Sequence, residues 1–195
     1  RALLLHDGRL LQQGEPEPVM DYYHALMADR TLAMIRQEFN EQGVLQTISG
    51  TAEATVLSVG LLNAGGNQVD AARVGELVTL FVRFRANVDL ASLVIGILIK
   101  DRLGQEIYGI NTHRLNVSIV DLRPGSEREL RLRFAMNLGE GHYAVSTALT
   151  RSDSHLDRNY EWKDRALIFH VINVSHPKFV GRAWLQPQAE VLSLA

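Results

Sequence analysis

The sequence predicts an all-β protein: an immunoglobulin-like antiparallel β-sandwich preceded by an N-terminal hairpin and helix. Three observations carry this. After Gly43 hydrophobicity alternates with a period of two through most of the chain. Gly, Asn and Pro punctuate that stretch at short intervals, as turns between strands require. The one sustained helical period runs from Glu17 to about Gln42, which leaves no second helical layer to cover a parallel sheet.

Taken in order, Ala2 to Leu5 and Leu10 to Leu11 are apolar runs flanking Asp7-Gly8, a pair able to adopt positive φ at both turn positions, and so predict a hairpin. Pro16 and Pro18 then open a helix, where a missing N–H costs nothing. Val19, Tyr22, Tyr23, Leu26, Met27, Arg30, Ala33 and Met34 keep i, i+3, i+4 spacing, and Glu15, Glu17 and Asp21 favour the positive end of its dipole. Gly43 is read as its terminator. Strands follow at Ala54 to Leu62, Leu77 to Ala86, Ser92 to Lys100, Glu106 to Ile110, Arg128 to Met136, His142 to Arg151 and Ala166 to Val174, about eight in all. In the second of these Val78, Leu80, Val82 and Phe84 share the core parity, and Phe81, Arg83 and Arg85 the opposite one.

The composition suits a packed domain. Of 195 residues 46% are hydrophobic and 22% charged, so disorder is not expected. A net charge of −2 offers no electrostatic footprint for nucleic acid or an anionic membrane. No apolar run approaches the roughly 18 residues of a membrane span. The absence of cysteine excludes disulfides and thiolate chemistry and fits a reducing compartment.

Catalytic signals are missing. None of the seven histidines has a metal-ligand spacing such as His-Glu-x-x-His. The glycines at 65–66 and 139–141 do not open a helix after a strand, and no Gly-Lys-Ser/Thr phosphate loop is present. No catalysis, metal or cofactor is therefore expected of these residues.

Two resemblances add to this reading. The opening stretch, through Gly14-Glu15-Pro16 to Val19-Met20-Asp21-Tyr22-Tyr23, resembles the closing hairpin and helix of an ABC-transporter ATPase domain. Val94 to Thr112, Leu138 to Leu149 and Asp164 to Val171 resemble the C-terminal domain of Wzt-type ATPase subunits of polysaccharide ABC exporters. The second resemblance spans about Ala52 to Val174. It implies a division into residues 1–50, the ATPase tail with a helical linker, and 51–195, a carbohydrate-binding sandwich. It further implies binding of the O-antigen polysaccharide at the cytoplasmic face of the inner membrane, with a permease subunit reached through the parent ATPase. The alternative is a structural or dimerisation module without a ligand.

A glycan site needs aromatic faces for the apolar side of sugar rings and planar polar groups for their hydroxyls. Phe81, Arg83 and Arg85, on the non-core parity, are candidates; cover by a loop or a second subunit is the other explanation for Phe81, and a solvated face for the arginines. Along the strand after His142, residues His142, Ala144, Ser146, Ala148 and Thr150 point outward, and their small size predicts a shallow groove; His142 and Ser146 join the candidates, and His170 shares the non-core parity of its own strand. The polar-aromatic loop 151–163 contributes Arg151, Asp153, His155, Tyr160 and Trp162, with Trp162 either contacting ligand or plugging the end of the sandwich. The tail from Phe179 to Val191 is strand-like around Trp184 and Leu185 without an evident partner. Strand exchange in a homodimer would satisfy it; folding back on its own sheet edge is the alternative.

Overall fold

The computed structural model describes residues 1–28, 35–40, 42–152 and 159–193. β1 (Ala2–His6) and β2 (Arg9–Gly14) form the first hairpin, with positive φ at Asp7 (48°) and Gly8 (73°), as the Asp-Gly signal requires. Leu3, Leu5 and Leu10 of this hairpin are exposed. α1 (Pro16–Ala28) follows at its foot, with Val19 turned toward Gly14 at the end of β2.

The helical reading fails at residues 36–39. β3 (Arg36–Phe39) and β4 (Leu45–Ser49) are an antiparallel hairpin, with Arg36 opposite Ile48 and Phe39 opposite Leu45. The Asn40 side chain makes the turn: its Oδ1 accepts the N–H groups of Gln42 and Val44, both at 2.9 Å. Gly43, at φ 72°, serves this turn and not a helix end. Trp162 and Lys163 pair with Ser49 and Ile48, so the main sheet reaches N-terminal of the expected boundary at residue 51.

The remaining strands are β5 (Ala54–Leu62), β6 (Gln68–Val69), β7 (Ala71–Arg73), β8 (Leu77–Ala86), β9 (Leu90–Asp101), β10 (Glu106–Asn111), β11 (Ile119–Leu122), β12 (Glu127–Ala135), β13 (Gly141–Thr150) and β14 (Asn159–Ile172). They exceed the expected eight because short edge pieces such as β6, β7 and β11 carry too few residues for a readable period. The large sheet runs β10-β9-β13-β14-β4-β3, with β11 also on β9 and β7 on β14; the small sheet runs β12-β8-β5-β6. Both are antiparallel except where β7 runs parallel to β14.

The sheets face each other across one core. Val78, Leu80, Val82 and Phe84 of β8 meet Leu93, Ile95, Ile97 and Ile99 of β9, and Val145, Leu149 and Phe169 of β13 and β14. Burying side chains of this kind is worth about 1.5–3 kcal/mol each relative to exposure. A polar clamp also joins the layers. Glu161 on β14 accepts the Val56 N–H of β5 at 2.7 Å, and Lys163 donates to the Val56 carbonyl at 2.8 Å. Burial raises the Glu161 carboxyl above its usual range, opposed by Lys163 and the Val56 N–H.

β14 starts seven residues earlier than the period suggested, so Tyr160 and Trp162 lie on a strand and not on a loop. Its pairing with β13 slips twice. Leu149 opposes Glu161 while Thr150 opposes Asn159, which puts Tyr160 at the slip, its carbonyl accepting the Ala52 N–H at 2.8 Å; Val145 opposes Leu167 while Thr147 opposes Lys163. Such bulges reset which face each side chain takes. Past Ile172 the chain is irregular, held by a bridge from Leu138 to Ala183 and by Trp184 packing on Phe179 and His176. No strand forms around Leu185, which is exposed.

Candidate functional site

A groove of about 590 Å³ lies on the outer face of the large sheet. Its depth comes from small residues. Gly96 on β9, Gly109 on β10, and Ser146 and Ala148 on β13 place almost no side chain above the sheet. A Cβ added at Gly96 would stand 3.5 Å from that of Ala148 and 3.8 Å from that of Asn111, ordinary contact distances, so a methyl there would fill part of the floor without a clash. Polar groups rise around it: Glu106, Asn111 and Arg114 on the β10 side, Ser49, Thr150 and Asn159 on the other.

Asp164 organises the floor. Its Oδ1 accepts hydrogen bonds from Lys100 Nζ at 2.9 Å and Ser146 Oγ at 2.8 Å, and its Oδ2 accepts from Trp162 Nε1 at 2.7 Å. The carboxylate is buried and Lys100 nearly so, which makes these charge-assisted contacts stronger than surface ones. Two consequences follow. The half-buried Trp162 indole is held in one orientation along the groove, and the Lys100 ammonium is fixed on the other oxygen of the same carboxylate. Trp162 and Asp164, two apart on β14, share this face by strand alternation. What results is a fixed aromatic edge, a floor of small residues around the Lys100–Asp164 ion pair, and rims carrying both charge signs with amides between them.

The segment 46–185 matches the family model of the Wzt C-terminal domain. The chain belongs to this family. The fold agrees: the crystal structure of the C-terminal domain of Wzt superposes with a TM-score of 0.67 at 18% identity, covering 80% of this chain and 93% of that one. A Niemann-Pick type C2 protein from the Japanese carpenter ant reaches a TM-score of 0.44 at 9% identity, over 63% of this chain and 96% of that one. No curated protein matches the chain in sequence. Membership in the Wzt C-terminal domain family supports a role in the O-antigen ABC transporter.

Of the residues proposed from sequence, the groove gathers Ser146 and Trp162, with Ala148 and Thr150 from the same outward series. The others lie elsewhere. Phe81 is buried on the outer face of the small sheet, opposite Gly60, and its ring fills the space where a Cβ on Gly60 would stand. It is covered by its own sheet, since a strand glycine leaves a gap that an aromatic on the paired strand closes. Arg83 lies over the Phe81 ring at 5.5 Å and pairs with Glu129 at 2.6 Å; Arg85 pairs with Glu127. This is the solvated-face alternative. Tyr160 belongs to the core, turned inward where the β13–β14 register slips. His142 packs on His170 across the β13–β14 pair, ring centroids 4.1 Å apart, away from the groove. The Arg151 side chain is exposed and does not line the groove, while its carbonyl accepts the Ser92 hydroxyl at 3.1 Å. Asp153 and His155 lie outside the described residues.

Sequence reasoning missed Lys100, Asn111, Arg114, Asn159 and Asp164. Lys100 and Asn111 fall at strand ends next to turns, where period carries no information. Asp164 was readable only as one residue of a family-like phrase. A signal did exist in Trp162-x-Asp164, because same-face spacing places an acceptor within reach of the indole N–H.

Proposed function

We propose that this protein recognises the O-antigen polysaccharide and holds it in the groove beneath Trp162. The observation that supports this most is the Trp162–Asp164–Ser146–Lys100 network. It fixes an aromatic face beside a floor of small residues, which suits a flat sugar ring, while Asn111, Asn159 and Arg114 offer planar groups to hydroxyls. The groove volume falls within the roughly 300–1,000 Å³ of small-ligand sites, enough for a short stretch of a polymer. On this reading the domain acts by binding and not by catalysis, needs no cofactor, and works at the cytoplasmic face of the inner membrane. Its permease partner is reached through an ATPase domain whose core the exposed leucines of the β1–β2 hairpin would join.

Affinity electrophoresis in gels containing the native host polysaccharide tests this. Retardation of the protein, abolished by Trp162→Ala with folding intact, is the expected result. Migration unaffected by any O-antigen polysaccharide of the host would reject it.

A second reading, a dimerisation module without a ligand, draws support from the tail, where Val180, Leu185 and Val191 are exposed. Exchange of this segment between two copies would bury them and is compatible with cargo binding. Light scattering at micromolar concentration distinguishes the states, and a monomer would reject the dimer.

A further inference from the structure

α1 precedes the matched segment 46–185, yet it is docked on the β-domain through a dedicated set of contacts. Gln37 Nε2 donates to the Pro18 carbonyl at 3.3 Å and to Thr47 Oγ1 at 3.1 Å. Gln12 Nε2 donates to Gln37 Oε1 at 2.7 Å, and Arg165 pairs with Glu17 at 3.7 Å. Ala25 is buried and lines the groove. Asp21 lies one turn earlier on the same helix face and is also buried, its charge interacting with both Asp164 and Lys100 of the groove floor.

We propose that α1 is a wall of the glycan groove, that Ala25 belongs to its ligand site with Asp21 buried one turn behind it, and that groove occupancy and docking of α1 therefore strengthen each other. The linkage rests on the binding reading above; the placement of α1 against the floor does not. A ligand that touches Ala25 is complementary only to the docked helix, and thermodynamic reciprocity then requires the bound ligand to hold the helix by the same factor. Because Val19, on the opposite side of α1, meets the β1–β2 hairpin, the helix connects the cargo groove with the segment that precedes the domain. The small side chain at position 25 leaves the wall open to ligand, and a larger one would project into the groove.

Asp21 gives this docking a ligand-free signature. Its carboxyl is raised from 3.8 to about 7, first by burial and then by the Asp164 charge; Glu17 adds to the rise, while Lys100 and Arg165 oppose it. A carboxyl that holds its proton more tightly when docked favours docking at low pH, and that contribution is lost as pH rises from about 4 to about 7.

The chain has two tryptophans, so Trp184→Phe leaves Trp162 as the sole reporter, in direct contact with Asp164. Without ligand, its emission should titrate with a midpoint near 7, and Asp21→Asn should remove that transition. No transition, or one that survives Asp21→Asn, would overturn the placement of Asp21 against the floor. With host polysaccharide, Ala25→Leu should weaken binding at least tenfold, and amide exchange across residues 16–28 of the unmutated chain should slow. Undiminished binding by Ala25→Leu together with unchanged exchange would overturn the wall. Failure of the unmutated chain to bind any polysaccharide would reject the binding reading and with it the linkage, while the titration still decides where α1 sits.

Discussion

The two outer faces of the sandwich are built from the same alternation and come to opposite ends. On the small sheet the outward positions hold long charged side chains facing each other across strands: Arg83 opposite Glu129 and Arg85 opposite Glu127. They close the surface over, and Phe81 fills the gap above Gly60. On the large sheet the outward positions of β13 hold Ser146 and Ala148, flanked by Gly96 and Gly109, and the surface stays open. An ion pair at its floor, Lys100 with Asp164, is largely buried and shared with Ser146 and Trp162. Charge on a flat, solvated sheet face adds solubility and little energy, whereas the same pair at a groove floor fixes the side chains a ligand would meet.

The sharpest way to break this contrast is at Asp164. Asp164→Ala leaves three donors without their acceptor, one of them the largely buried Lys100 ammonium. It should cost roughly 3–5 kcal/mol in urea unfolding and release Trp162, abolishing polysaccharide retention. A loss below about 1 kcal/mol would place the pair with the surface pairs of the other face. Phe81→Ala should come next, lowering stability by about 3 kcal/mol because Gly60 loses its cover, while retention is unchanged. Trp162→Ala should show the reverse, at least a tenfold loss of affinity, about 1.4 kcal/mol, with little shift in melting temperature. Exchange of those two outcomes would move the site to the small sheet. Arg83→Ala should change least: under about 1 kcal/mol by urea unfolding, with no effect on retention, since Glu129 keeps Arg131 as a partner.

Legibility varied with the regularity of pairing. β8 pairs with β12 from Leu77 to Arg85 without a slip, so the face of every residue in it was readable from alternation alone. Even there Phe81 was given the right face and the wrong role, because Gly60, whose gap its ring fills, is 21 positions away in sequence and adjacent only through register. β14 was poorly legible because its two slips against β13 turn Tyr160 inward and leave Trp162 and Asp164 facing the groove. The outward series of small residues on β13 lay in the readable part, and it forms the groove floor.

The sequence by itself determined the all-β class, the Asp7-Gly8 hairpin, the start of the helix at Pro16, the core faces of β8 and β9, and the likeness to the Wzt C-terminal domain. Each depends on neighbours within a few residues, where periodicity and turn chemistry act. Tertiary structure alone decided the β3–β4 hairpin, the burial of Phe81 and Tyr160, the bond from Trp162 to Asp164 with Lys100 on the same carboxylate, and the seat of α1 beside the groove. These depend on which strand lies next to which and where the ladder slips. Such choices are settled by packing energy summed over both sheets, and no local stretch of sequence carries that sum.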